Sequence, residues 1–190
     1  MNVEWATRWN KTRELYDKIR ADNLRIVIDA LKKENVTMVQ MTYHGGGDSG
    51  DYHFPIYRVK QQDGETVDLE NTEGYGPSSY TLGASGEFTS ETKITIFCVH
   101  PGDWDNETKT QGTPRVEEEE MTMVKAVYQI MEEAVEAQHS GWYNNEGAEG
   151  GVQIDVLNGR INVSHGDYVT ETVWNEYSIE ASSEASPSVS

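Results

Sequence analysis

The hydrophobic period changes once, sharply, and that change constrains the fold more than any other feature. Met121, Val124, Tyr128, Met131 and Val135 recur at three- and four-residue steps, the signature of a helix buried along one stripe. From Gly151 the pattern alternates residue by residue, as Val152, Ile154 and Val156 require of a half-buried strand. Between them lies His139-Ser140-Gly141-Trp142-Tyr143-Asn144-Asn145-Glu146-Gly147-Ala148-Glu149-Gly150-Gly151, with four glycines in its last eleven residues. Glycine reaches positive φ without cost, so this stretch predicts a helix stop at Gly141, an irregular turn, and Trp142 plugging the core. The helix is expected over 116–139, with Glu117 to Glu120 in its first turn, where the helix dipole favours negative charge. Leu157-Asn158-Gly159-Arg160 reads as a hairpin turn leading into Ile161–His165. Gly166-Asp167 reads as a further turn, and 168–179 as another strand.

The first half repeats the logic with a longer helix. Trp5, Trp9, Tyr16, Ile19, Ile26, Ala30 and Leu31 form a stripe over about 4–34, with Asp22-Asn23 as a candidate break and Asn35 as the stop. Its outer face carries Arg8, Lys11, Arg13, Lys18, Arg20, Arg25, Lys32 and Lys33. Val36–Tyr43 reads as a central strand covered on both faces, because its apolar residues are too many for alternation. The Gly45–Asp51 stretch reads as a loop. Tyr52–Val59 follows as a strand that Pro55 places at an edge or interrupts. Residues 62–65 form a turn, 66–69 a short return strand, 70–91 a long polar loop, and 93–99 a strand rich in β-branched residues. The sum is an α+β chain: a largely antiparallel sheet with both amphipathic helices on one face. One domain over 1–180 is expected, with 181–190 a disordered Ser-rich tail.

Composition narrows the function classes. The net charge is −18, and it is lopsided: residues 1–100 hold 11 Lys and Arg against 15 Asp and Glu, whereas 101–190 hold 4 against 18. Such a field repels nucleic acid and anionic lipid and attracts cations or basic protein surfaces. The single Cys98 excludes an internal disulfide and a thiolate metal cage. The chain shows no signal peptide and no apolar run of membrane-crossing length, so a cytoplasmic protein without membrane contact is expected.

The residues singled out for binding are Asp48, Ser49, Asp51, Trp142, Asn144, Asn145, Glu146 and Glu149, all in the two glycine-rich stretches. Carboxylate and amide oxygens are the donors that hard cations take. Asp48, Asp51, Glu146 and Glu149 are therefore the metal candidates, with Asp155 joining them if the two stretches share a sheet end. Neither stretch matches an EF-hand, and His44, His53, His100, His139 and His165 never fall at the helical i, i+4 metal spacing. Gly47-Asp48-Ser49-Gly50 is similar to the short signature around serine-protease nucleophiles. The chain has neither the length nor the layout of such a protease, and His44 or His53 makes no triad without an orienting carboxylate. No phosphate-cradling loop and no dinucleotide fingerprint are present. No catalytic residue is assigned.

Several features occur together in order: a strand ending Thr42-Tyr43, then Gly47-Asp48-Ser49-Gly50, then a helix ending in Gly141-Trp142, then Asn144-Asn145-Glu146-Gly147-Ala148 and Gly150 before a hairpin. In this the chain resembles an uncharacterised family of bacterial and phage proteins, over about 24–55 and 120–170. The extra Gly45-Gly46, the longer section at about 60–115 and the Ser-rich tail depart from that pattern. The resemblance implies a phage or mobile-element setting and carries over no catalytic residue.

Three readings of function follow. The first is an acidic, non-enzymatic binding protein docking a basic host protein surface, such as that of a nucleic-acid or defence enzyme it inhibits. The second is a divalent-cation-dependent enzyme or metal-binding protein built on the two loops. The third is a virion structural or assembly protein. The basic helix face of one copy against the acidic half of another would also give a homodimer.

Overall fold

The computed structural model describes residues 3–61, 63–69, 92–107, 110–171, 174 and 176, without the side chains of 3–9, 110 and 111. Helix α1 spans Val3–Lys33. Strands β1 (Val36–Gly46), β2 (Ser49–Tyr52), β3 (Ile56–Lys60), β4 (Thr66–Leu69), β5 (Lys93–His100), β6 (Trp104–Asp105), β7 (Thr110–Gln111) and β8 (Arg115–Thr122) follow. Helix α2 (Met123–His139) then leads to β9 (Ala148–Asp155) and β10 (Arg160–Asp167).

β1 is the spine. One of its edges pairs with β9 from Met38 to Gly45, and β9 pairs in turn with β10. The other edge pairs first with β3 and then with β2, so that β2 and β3 lie in line with residues 53–55 between them. Pro55 has no N–H to donate, and the ladder breaks there. β4 closes that side of a sheet in which every pairing is antiparallel. The expected loop at Gly45–Asp51 is in fact the tip of a β1–β2 hairpin. Gly46 faces Ser49, and Gly47 and Asp48 turn the chain at φ of 62° and 68°. Two central residues at positive φ are what the tightest hairpin turn demands.

One face of the sheet is covered. Val39, Met41 and Tyr43 of β1, Tyr57 and Val59 of β3, and Val152 and Ile154 of β9 are buried with Val27 and Leu31 of α1 and Met123, Val127, Met131 and Val135 of α2. The alternate residues Gln40, Thr42 and His44 are exposed. β1 is thus central in pairing but covered on one face only, contrary to the expectation from its apolar content. A Met at position 38 and a long strand mimic a two-sided pattern.

Two helix boundaries differ from the sequence reading. α1 runs unbroken through Asp22-Asn23, because Asn23 is buried and its amide pairs with backbone: Nδ2 donates to Phe97 O at 2.7 Å, and Phe97 N–H donates to Oδ1 at 2.8 Å. The amide acts as one rung of a strand and fixes α1 to β5. Glu117–Glu120 are not in a helix either. They lie on β8, paired with Thr95–Cys98 of β5, and α2 begins only at Met123 behind a Thr122 cap whose hydroxyl accepts from Lys125 N. Glutamate favours helix only weakly, and a neighbouring strand with free edge groups outweighs it. Gly166-Asp167 belong to β10 rather than to a turn, and 168–171 carry no strand. The polar connection after β5 holds the small β6–β7 ribbon. Readings placed on 70–91 and 181–190 lie outside the described residues.

Candidate functional site

The two glycine-rich stretches meet. α2 ends as expected, with Gly141 at φ 72° and Trp142 N–H bonded to His139 O. Asn145 at φ 56° and Gly147 at φ 82° then swing the chain back into β9. Across the gap, Gly47 N–H donates to Asn145 O at 2.9 Å, and Asp48 Oδ1 accepts from Asn145 N–H at 3.4 Å. The contact is backbone against backbone: a Cβ on Gly147 would overlap the Gly45 carbonyl oxygen, so the pair can close only with glycine there.

Trp142 sits beneath this junction and is only 6% exposed. Its ring meets Tyr43 edge-on at 4.8 Å and Tyr52 at 5.4 Å. Its Nε1–H is shared between Tyr52 Oη and Glu136 Oε1, both at 3.0 Å. Burial pushes the Tyr52 phenol well above its ordinary value against the opposing bond from Trp142, and the charges of Glu136 and Glu132 add to the rise. Trp142 therefore fills the core, and it also lines a polar cavity that it shares with Asn144, Asn145 and Glu146.

The Tyr43 phenol crosses the space above Gly150 and reaches His165 Nδ1 at 2.6 Å, while His165 Nε2 lies 3.1 Å from Asp167 Oδ1. Burial, and then Asp167, raise the Tyr43 phenol, so it keeps its proton at neutral pH, and Ser164 O at 3.5 Å is a second acceptor for it. His139 stacks on the same imidazole at 3.7 Å with the rings 15° from parallel. Tyrosine, histidine and aspartate in line resemble a proton relay in outline. Tyr43 as a whole is 1% exposed. The array ties the β10 edge to β1 and to the end of α2. Periodicity could have placed Tyr43 and His165 on the covered face; only tertiary structure brings them together with His139.

A polar cavity of about 340 Å³ opens beside this array, lined by His139, Asn144, Asn145, Glu146, Asp167 and Tyr168 among others. Asn144, Asn145 and Glu146 are exposed there, Glu146 accepting from the Thr170 hydroxyl at 3.4 Å. Ser49 is exposed at the start of β2, opposite Gly46, and His44 and His53 bond each other. Asp51 and Glu149 flank His44 from opposite sides in register, and Glu149 Oε2 accepts from Tyr168 Oη at 3.0 Å. Asp155 lies at the other end of β9, bonded to Asn158 and Arg160. The metal candidates Asp48, Asp51, Glu146 and Glu149 thus gather at one sheet end without closing on a point. Among the described residues no three His, Cys, Asp or Glu side chains form a group able to hold a metal.

The sequence profile of a family of unknown function (DUF6878) matches residues 102–179. That span contains α2, the loop after it and the β9–β10 hairpin, and it leaves out the β1–β2 hairpin. No curated protein and no solved structure matches the chain. No helix among the described residues is long and apolar enough to cross a membrane.

Proposed function

We propose that this chain is an acidic, non-enzymatic binding protein that docks a basic protein surface. The observation that carries the reading is the placement of Glu117–Glu120. On a strand, successive side chains alternate faces, so Glu117 and Glu119 share a face of the β5–β8 ribbon with Cys98 and Ile96, and Glu118 and Glu120 share the other with Phe97 and Thr95. Among the described residues, Lys93 and the imidazole of His100 pair with this row, Lys93 with Glu120 and His100 with Glu119 and, at 4.0 Å, Glu117. Glu132, Glu133 and Glu136 follow on α2, and burial together with Glu136 and Glu133 raises the Glu132 carboxyl. Carboxylates crowded with so few counter-charges favour an incoming Lys- and Arg-rich surface. Solubility and protection of an exposed ribbon edge account for part of the same pattern.

The reading includes a cytoplasmic phage or mobile-element setting, in which the partner is a host nucleic-acid or defence enzyme and nucleic acid itself is not bound. The basic face of α1 offers the same docking to a second copy, as a homodimer.

The test is binding of the full chain to a lysine-rich peptide, with an acidic peptide as control, from about 50 mM to about 500 mM salt. Affinity should fall steadily with salt, and Glu117→Gln, Glu118→Gln, Glu119→Gln and Glu120→Gln combined should weaken it about tenfold or more. Neutralising Asp63 and Glu65, in the turn before β4, should leave it unchanged. Salt-independent binding, or a fourfold variant that binds like the parent, overturns the proposal.

A further inference from the structure

We infer that the open face of the main sheet carries a binding site for a borderline divalent cation of the zinc type, held by His44 Nδ1 and His53 Nε2. This is a different place and a different donor set from the oxygen-rich loop tips, and it does not rest on the docking proposal.

The two nitrogens stand 3.1 Å apart, with the ring centroids at 5.1 Å and the planes at 78°. Two imidazole nitrogens bound to one tetrahedral zinc at about 2.0–2.1 Å each are separated by about 3.3 Å. Bringing a metal in therefore requires the pair to open by a few tenths of an ångström and the rings to turn. Both side chains are on the exposed face, so little desolvation opposes the change.

Thr42 completes the donor arrangement. Its hydroxyl lies 3.1 Å from His53 Nδ1. A hydroxyl both donates and accepts, so it serves the metal-free tautomer, in which His53 Nε2–H points at His44. It equally serves the metal-bound one, in which Nδ1–H points at Thr42 Oγ1 and Nε2 is free. A second partner that fixes the ligating tautomer is the usual support of a metal-bound histidine.

Carboxylates stand on either side. Asp51 is the cross-strand partner of His44 on β2, and Glu149 is its partner on β9, so both belong to the same sheet face. Glu149 uses Oε2 for Tyr168, and its other oxygen is available after a side-chain rotation. His44, His53 and Glu149 border one open concavity of about 710 Å³, whose lining includes Gly151 and Gly166. Those two bare positions leave room for water or a ligand atom in a remaining coordination place. Helical spacing is the wrong template for this pair: the nine-residue separation closes across a hairpin.

The experiment is calorimetric titration of the full, untagged chain with zinc chloride, with nitrogen-detected NMR of the imidazoles in parallel. One zinc per chain is expected, with the ring nitrogens of His44 and His53 shifting together. His44→Ala and His53→Ala should each weaken binding at least tenfold, and Thr42→Val by about tenfold. His139→Ala and His100→Ala should have no effect, and Mg²⁺ should not compete. Absence of saturable zinc uptake overturns the inference. So does uptake that survives both His44→Ala and His53→Ala, or NMR shifts confined to other histidines.

Discussion

Gly150 and Gly151 are adjacent, both glycine, and asymmetric in what they hold. A Cβ on Gly150 would overlap the Tyr43 phenol and the Ser164 carbonyl, whereas on Gly151 it would meet Met41 O at an ordinary 3.6 Å. Gly150→Ala should therefore lower stability by about 1–3 kcal/mol through overpacking, with loss of the Tyr43–His165 bond, while Gly151→Ala should be nearly neutral. Denaturant midpoints of the two variants decide it. Glu132 supplies a second prediction at this scale. Its folded carboxyl holds its proton more tightly than the unfolded one, so its contribution to stability is complete below the unfolded carboxylate value and is lost as pH rises through the folded value. Glu132→Gln should then raise the melting temperature at neutral pH by on the order of 1–2 °C, and the gain should vanish on acidification. A gain that is the same at all pH values would show that charge is not its cause.

At the scale of elements, one polar side chain clamps α1 to β5 beside the core that Val27 and Leu31 share with Ile96. Asn23→Ala leaves the Phe97 N–H and C=O without their partner in a buried place, which should cost about 2–3 kcal/mol. Arg25→Ala, on the exposed side of the same helix, should stay within about 0.5 kcal/mol, since its ion pair with Asp22 at 3.7 Å is solvent-screened. Equal losses in the two variants, measured by thermal melts, would refute the clamp. The body of each helix was legible from its stripe, and the end of α2 from Gly141, though its start lies at Met123 rather than near 116; the β9–β10 hairpin was legible too, because its turn residues and alternation agree. β8 was not legible, because four glutamates and a following apolar stripe read as one continuous helix until β5 is there to pair with.

At the scale of the whole molecule, a charge of −18 acts on the fold as well as on partners. Self-repulsion weakens as salt shortens the Debye length, from about 30 Å at 0.01 M to about 8 Å at 0.15 M. The melting temperature should rise across that range in sodium chloride, and less so in the fourfold Glu117–Glu120 glutamine variant. A melting temperature that does not change with salt would place the acidic residues too far apart to matter.

The sequence by itself determined the class of fold, the buried stripe of α2 from Val124 to Val135, the helix stop at Gly141 and the strand break at Pro55. Each of these follows from local period or from the covalent limits of glycine and proline. Tertiary structure alone decided that Gly47 and Asp48 meet Asn145, that His165 lies between Tyr43 and His139, and that His44 faces His53. Those contacts join residues from 9 to 122 positions apart, and no local pattern records a partner brought in by strand register.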